Sequence, residues 1–128
     1  MRLTIWLPHR KLLDTTCVKV IAESTQGAFC LLPHHIDYVA PLVPGIVVFQ
    51  VKGDPRDQFA AVDEGVLVKC AQDVRISTRQ AVLSADLGEL QRTIEKEFLV
   101  HDEWQRKVRS AAARLESSLV RKFLEFSK

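Results

Sequence analysis

Apolar and polar residues alternate along the first two thirds of the chain. This alternation predicts β-strands with one buried face. The alternating apolar positions are Leu3, Ile5 and Leu7; Val18, Val20 and Ala22; Val66, Val68 and Cys70; and Val74 and Ile76, followed in phase by Thr78. A near-continuous β-branched run at 46–51 predicts a strand inside a sandwich. Turn signals at 26–27, 44–45 and 53–55 separate these runs, and short strands so closely spaced predict an antiparallel β-sandwich or barrel.

The spacing of apolar residues changes to three and four after about residue 84. Asp86 followed by Glu89 is typical of a capping box at a helix start. The periodic positions are Leu87, Leu90, Ile94 and Phe98, and then Trp104, Val108, Ala111 or Ala112, Leu115, Leu119, Phe123 and Phe126. They predict two helices, over 87–99 and 103–126, each with one apolar stripe. Neither glycine nor proline interrupts 99–101, so a hairpin and one long bent helix both fit the pattern.

Length and composition limit the classes of protein to which the chain can belong. The chain has 128 residues, a formal net charge of +2 and 27% charged side chains, which is typical of a soluble globular protein. No apolar run approaches the ~20 residues of a membrane-spanning helix, and the apolar start of the chain is too short for a signal peptide. Three cysteines without Cys-x-x-Cys spacing argue against a disulfide framework or a zinc site and indicate a reducing, cytoplasmic setting.

The side chains that could carry chemistry form no catalytic or metal-binding set. His34 and His35 are adjacent, and adjacent strand residues point to opposite faces, so the pair cannot easily chelate one metal. The cysteines lie in apolar alternating runs, where a free thiol usually packs as a small hydrophobe. Acidic pairs occur only where turns or helix caps are expected, and the sequence contains no glycine-rich phosphate loop. We therefore predict no catalytic residue, no metal ligand and no cofactor site.

Basic residues follow one face of the second predicted helix. Residues 102–128 carry 7 basic and 4 acidic side chains. Such a strip is either a solvated helix face or a docking surface for an acidic partner. Nucleic acid is a weaker candidate, because the aromatic residues of this helix lie on its apolar stripe. The strip consists of Lys107, Arg114 and Arg121, spaced by seven residues, flanked by Arg106, Arg109 and Lys122.

Two segments carry a resemblance to a known family. The first, 27–45, contains in order Gly27, a short apolar strand, Pro33-His34-His35 and the turn Pro44-Gly45. The second, 61–76, contains a strand led by Gly65. This order resembles the N-terminal β-sandwich of the epsilon subunit of F-type ATP synthases. The resemblance covers nearly the whole chain and implies an α+β fold: an antiparallel β-sandwich at 1–84, followed by an antiparallel two-helix hairpin at 85–128.

The resemblance also implies a function. Epsilon subunits are non-catalytic rotor parts of the central stalk that bind the gamma subunit, rest on the ring of c subunits and help to couple ion translocation to ATP synthesis. In many members the C-terminal helices extend along gamma and hinder ATP hydrolysis, and basic residues of the last helix approach an acidic segment of the catalytic beta subunit. Membrane association is then only through the complex, at the cytoplasmic face of a bacterial inner membrane.

The family positions that match give the expected interface residues. The c-ring and gamma interface comprises Gly27, Ala28, Pro33, His34 and His35, and the residues that dock on the beta subunit are Arg106, Arg109, Arg114, Arg121 and Lys122. Ala28 stands where many members carry an acid, His34 replaces a glycine, and Asp37 replaces a proline. These departures indicate a divergent branch of the family, such as the second ATPase operons of some bacteria.

One family motif is missing. Some bacterial members bind ATP through Ile/Leu-Asp-x-x-Arg-Ala at the start of the first helix. The corresponding segment here is 87–92, where Gly88 replaces the aspartate and Gln91 replaces the arginine. We expect no ATP binding by that mode.

Two other classes of protein remain as alternatives to the rotor subunit. One is a free-standing β-sandwich binding module with a basic helical tail. The other is a small enzyme that uses His35 and a cysteine, which would lose activity on His35→Ala or on thiol alkylation.

Overall fold

The computed structural model describes residues 1–90, 92 and 106–113. Within them the chain forms nine strands. Two glycines of the predicted turns, Gly27 and Gly45, are the first residues of the third and fifth strands, and Gly65 begins the seventh, as expected of a strand led by glycine. The strands are β1 (Arg2–Trp6), β2 (Lys11–Ser24), β3 (Gly27–Leu31), β4 (Tyr38–Leu42), β5 (Gly45–Val51), β6 (Asp57–Val62), β7 (Gly65–Cys70), β8 (Asp73–Thr78) and β9 (Ala81–Ser84).

One long strand, β2, joins two layers. Its first half pairs with β1, and its second half pairs with β3 and β5. From β1 the first layer continues through β8 and β7 to β4, whereas from β5 the second layer continues through β6 to β9. All pairings are antiparallel except that of β1 with β8, which is parallel. The sheet therefore folds over at β2 into the predicted sandwich.

The inward faces of the two layers share one hydrophobic core. Side chains from the first layer, such as Leu3, Leu67 and Ile76, and from the second, such as Val47 and Phe49, belong to the same buried cluster. Each apolar side chain of this size stabilises the fold by about 1.5–3 kcal/mol when fully buried.

A β-bulge changes the phase of β2. Cys17 pairs with Val51 and Lys19 pairs with Gln50, so Val18 is the extra residue. A bulge of this kind turns the following residues over relative to those before it. Cys17 is therefore buried, whereas Val18 is 38% exposed. The prediction that Val18 shares the buried face of Val20 is wrong for this reason.

The seventh strand is turned the other way from its predicted apolar face. Its alternating run, Val66, Val68 and Cys70, points outward, and the inward positions belong to Leu67 and Lys69. Both faces of this strand carry apolar residues, so alternation alone did not identify the buried face. The outward valines are available to a partner.

Helical residues cover the second layer from outside. Residues 87–90 and 106–113 are helical, and both contribute to a second buried cluster with the outward side chains of β5 and β6. Its members are Ile46, Val48, Phe59, Ala61, Leu87, Leu90, Val108, Ala111 and Ala112. The predicted fold class, a β-sandwich followed by a helical C-terminal region, is confirmed. The join at 99–101 lies outside the described residues, and among those described no helix is long and apolar enough to cross a membrane.

Candidate functional site

The first group of predicted interface residues lies at the tip of the β2–β3 hairpin. Gly27 has a φ of 118°, a conformation that side chains with a Cβ rarely adopt, so glycine suits this tight turn. The Ser24 hydroxyl accepts a hydrogen bond from the Gln26 amide at 3.1 Å and donates one to the Gly27 carbonyl at 3.0 Å. Gly27 and Ala28 are both exposed, so this hairpin tip is held by hydrogen bonds within the turn and is accessible.

The second group lies at the opposite end of β3, in the loop 32–37. Pro33 and His34 form a turn, and His35 is half-buried, with its Nδ1 2.7 Å from the Ile36 carbonyl oxygen. The His35 ring packs edge-on to Tyr38 at 5.6 Å between centroids. The sequence argument treated the two histidines as neighbours on a strand, which is wrong. Among the described residues no group of three or more potential ligands could hold a metal ion.

The two groups do not converge on one cluster. They bracket β3, whose five residues span about 15 Å at the usual rise of a strand. Two exposed apolar side chains extend the second group, Leu32 at 53% and Ile36 at 78%. The sequence analysis did not select them, although an isoleucine and a leucine beside a predicted turn were a usable signal.

A buried lysine lies under the loop 32–37. Lys69 is 2% exposed, and its ammonium donates to the carbonyl oxygens of His35 at 2.6 Å and Ala71 at 2.7 Å. The Ala71 amide donates to Asp37 Oδ1 at 2.8 Å, and the Gln72 side-chain amide donates to the Pro33 carbonyl at 3.3 Å. The loop is therefore tied to the β7–β8 turn by three groups. The sequence analysis missed Lys69.

The outer face of the first layer carries an apolar patch, here called the valine patch and made of Val39, Val66 and Val68. Their exposed fractions are 66%, 45% and 37%. Val39 pairs directly with Val68, so the side chains adjoin across β4 and β7. No comparable patch is exposed on the second layer in the described part of the chain, where the helical residues cover β5 and β6.

A tryptophan adjoins the valine patch. A cavity of about 410 Å³ is lined by Trp6, Val68 and Arg75, among others. The Trp6 ring lies 5.4 Å from the Arg75 guanidinium and 5.6 Å from the Lys11 ammonium. Its Nε1 is buried and makes no hydrogen bond within the described residues. A buried indole N–H normally has an acceptor; because Nε1 is shut off from solvent, Trp6 contributes its ring and not its N–H to this surface.

The basic strip is partly described. Arg106 and Arg109 are exposed, whereas Val108, Ala111 and Ala112 on the same segment are buried against the sheet. The helical face expected from the sequence is therefore confirmed over 106–113. Arg114, Arg121 and Lys122 lie outside the described residues.

A second cavity is lined by residues of both this helical segment and the sandwich. Its volume is about 680 Å³, and its lining includes Arg106, Lys107, Glu23 and Glu64. Because its lining contains both basic and acidic side chains, the cavity favours neither an anion nor a cation.

The buried Cys17 thiol is unsuited to act as a nucleophile. Burial raises the pKa of the Cys17 thiol to about 11, so it keeps its proton at neutral pH, and the thiolate is the reactive form. Cys30 and Cys70 are free and exposed.

Comparison with known proteins places this geometry in a family. Residues 1–84 match the model of the ATP synthase delta/epsilon chain β-sandwich domain. The chain is 31% identical over 128 residues to "ATP synthase epsilon chain 2" of Paraburkholderia xenovorans, covering 98% of this chain and 91% of that one. It is 29% identical over 104 residues to the protein of the same name in Cereibacter sphaeroides, covering 80% and 70%.

Two solved structures share the fold. One is the mitochondrial ATP synthase of Euglena gracilis, described as OSCP/F1/c-ring, with a TM-score of 0.59, 19% identity and coverage of 91% of this chain and 79% of that one. The other is the central stalk and c ring of the Tetrahymena thermophila mitochondrial enzyme, with a TM-score of 0.58, 14% identity and coverage of 100% and 96%.

A β-sandwich with helices packed on one outer face defines a class of small non-catalytic stalk subunits. Within that class, the chain belongs to the epsilon subunits of F-type ATP synthases. Both named relatives are chains numbered 2, in accord with the divergent branch expected from the sequence.

Proposed function

We propose that this chain is a rotor subunit of the central stalk, which binds the gamma subunit, rests on the c ring and couples ion translocation to ATP synthesis. It would be held at the cytoplasmic face of a bacterial inner membrane only through that complex. The observation that carries the proposal is the uncovered outer face of the first layer. Exposed apolar patches beside an aromatic anchor usually mark protein interfaces.

Gamma docks on the valine patch in this proposal. The outer face of the second layer is already covered by the chain's own helical residues, which leaves the first layer for a partner. Trp6 offers an apolar ring that lines the adjoining cavity, and Arg75 and Lys11 beside it favour an acidic rim on gamma.

The ends of β3 contact the rotor foot. Gly27 and Ala28 at one end face the c ring, and Pro33, His34 and His35 at the other lie where the c ring and gamma meet. Ala28 supplies no charge at its position, so the contact of the hairpin tip relies on shape and backbone groups. Leu32 and Ile36 add apolar area beside the second group.

The helical region at 85–128 acts as a regulatory arm that inhibits ATP hydrolysis. Its buried contacts comprise Leu87, Leu90 and Val108 as well as the smaller Ala111 and Ala112, so this apolar area must be buried again against gamma when the segment leaves the sheet. A switch needs the two packed states to differ by only a few kcal/mol. Arg106, Arg109, Arg114, Arg121 and Lys122 would then meet the acidic segment of the beta subunit.

Co-purification with the gamma subunit of the same genome, followed by size-exclusion chromatography, tests the rotor assignment. We expect a stable one-to-one complex. Val39→Asp and Val68→Asp should weaken it by about tenfold or more, since an unpaired charge is costly in an apolar interface. Val18→Asp is the matched control, because Val18 is also an exposed valine but lies on β2, away from the patch.

The outcomes separate the rival classes. Loss of binding in all three variants, or in none, contradicts the valine patch as the docking face. A folded wild-type chain that fails to bind folded gamma favours the free-standing binding module.

A designed disulfide tests the regulatory arm. A Cβ built on Gly45 lies 3.7 Å from the Cβ of Ala111, within the range of about 3.5–4.5 Å found in disulfides. Gly45→Cys with Ala111→Cys, with Cys30 and Cys70 changed to serine, pins the helical segment to the sandwich. Oxidation should raise ATP hydrolysis by the assembled complex, and reduction should restore inhibition. An unchanged rate, with the disulfide formed, means that the arm does not leave the sandwich during inhibition.

A further inference from the structure

A lysine occupies an inward position of the sandwich. On β7 the inward side chains are those of Leu67 and Lys69, and Lys69 is as buried as its apolar neighbours. Its ammonium has two acceptors, the carbonyl oxygens of His35 and Ala71, and forms no salt bridge with any described residue. A buried cation without a carboxylate is costly to desolvate, so stability alone does not explain a lysine here.

The two acceptors belong to different segments. His35 lies in the loop 32–37, which follows β3, and Ala71 lies in the β7–β8 turn. A single ammonium therefore bridges two loops that are 34 residues or more apart along the chain. Hydrogen bonds with an ionised donor or acceptor are about twice as strong as neutral ones, so this bridge is stronger than the neutral tie from Gln72 to the Pro33 carbonyl.

A second tie runs in the opposite direction. The Ala71 amide donates to the Asp37 carboxylate, so one residue of the turn both accepts from Lys69 and donates to Asp37. Ala71 itself has a φ of 55°, a conformation that costs about 1–2 kcal/mol for a residue with a Cβ. The turn is thus held in an unfavourable conformation that places its carbonyl and amide towards the loop.

We propose that Lys69 is a positioning residue, which fixes the loop 32–37 in the one shape that presents Ile36, His34 and His35 to the rotor partners. The inference rests on the proposed function of this loop as a contact of gamma and the c ring. Without the ammonium, the carbonyls of His35 and Ala71 turn to solvent, and the loop samples other shapes. Apparent affinity then falls in proportion to the fraction of molecules that keep the competent shape.

The test compares Lys69→Met with Lys19→Met. Methionine keeps the length and apolar stem of lysine without its donors. Lys19 is partly buried and its Nζ lies 3.6 Å from Asp57 Oδ1, so the control also removes one charge and one contact, but away from the loop. Each full-length variant is measured by amide hydrogen exchange and by its Kd for the purified gamma–c-ring assembly.

We expect exchange of the His35 and Ala71 amides to become at least about tenfold faster in Lys69→Met, and its Kd to rise about tenfold. The thermal midpoint should change little, because exchanging a buried charge for an apolar side chain is often neutral for stability. A purely structural lysine would instead lower the midpoint and leave the Kd unchanged. Lys19→Met should alter neither loop exchange nor Kd.

Asp37→Ala provides a second variant, since Asp37 is exposed and its removal should not prevent folding. It should also speed exchange of the Ala71 amide, and its effect should be smaller when Lys69 is already methionine, because both ties join the same segments. Unchanged loop exchange in Lys69→Met overturns the positioning role, and faster exchange with an unchanged Kd overturns its relevance to binding. A wild-type chain that binds no gamma–c-ring assembly overturns the proposed function, while loop exchange still decides whether Lys69 positions the loop.

Discussion

Gly65 lies directly against the backbone of Ser77. A Cβ built at position 65 would collide with the Ser77 carbonyl oxygen and would also lie 3.1 Å from the Cβ of Thr78. Gly65 pairs with Thr78 of β8 and with Leu42 of β4, so strands on both sides hold its backbone in place. The glycine that leads this strand in the sequence motif is therefore required by the close approach of two strands.

Gly65→Ala should lower the free energy of unfolding by about 1–3 kcal/mol, since backbone cannot move aside as a flexible side chain does. Urea denaturation measures the change. Gly88→Ala is the control, because a Cβ there meets only Asp86 Oδ1, at 3.4 Å, in an exposed helical position. It should leave stability unchanged or raise it by up to about 1 kcal/mol. Equal losses in both variants would show that the Ser77 contact is unimportant.

Asp63 is a second position at which burial determines how much stability a substitution costs. Its side chain is 8% exposed and accepts hydrogen bonds from the Glu64 amide at 2.7 Å, Gln80 Nε2 at 3.0 Å and Arg79 at 3.2 Å. Asp63→Ala removes three hydrogen bonds to a buried carboxylate and should cost about 1–3 kcal/mol of stability.

Asp14→Ala is the comparison for Asp63→Ala. Hydrogen bonds from Arg2 and Lys11 hold the pKa of the Asp14 carboxyl well below its usual range. These pairs are exposed, however, and exposed ion pairs contribute little. The urea midpoint of Asp14→Ala should stay close to that of the wild type. A larger shift in Asp14→Ala than in Asp63→Ala would contradict this ranking.

Local signals in the sequence predicted most of the fold. The predicted turns Gln26-Gly27 and Pro44-Gly45 lie at the start of strands. They could be predicted because a turn conformation depends on few residues. The helical spacing of Leu87, Leu90, Val108 and Ala111 or Ala112 agrees with their burial in one cluster.

Features that depend on distant pairing were not predictable. The bulge at Val18 arises from the register of β2 against β5, and the inward position of Lys69 contradicts the usual exposure of lysine. His34 and His35 were assigned to a strand, although Pro33 places them in a turn. The candidate interface residues were identified through a family resemblance. Their contacts could not be predicted from this chain, because it does not contain the partner's side of the interface.

Loss of ATP binding is a further prediction from the departures at 87–92. Gly88 has no side chain to accept a hydrogen bond, and Gln91 has no charge to attract phosphate. Isothermal titration of the folded chain with Mg-ATP should therefore give only the heat of dilution. A saturable, stoichiometric heat would contradict the prediction, and Gly88→Asp with Gln91→Arg and Arg92→Ala is the variant for judging whether the motif residues restore binding.

The three thiols should differ in reactivity. Cys30 and Cys70 are exposed and Cys17 is 1% exposed, so a thiol reagent at neutral pH should modify two thiols in the folded chain and the third only after unfolding in urea. Cys30→Ser and Cys70→Ser should each remove one reactive thiol, whereas Cys17→Ser should remove none.

Burial raises the Cys17 pKa from 9.0 to about 11. The neutral thiol therefore contributes stability that is fully present below about pH 9 and is lost as the pH rises towards 11. Cys17→Ser should unfold with a weaker pH dependence in that window, and rapid labelling of Cys17 in the native protein would contradict its place in the core.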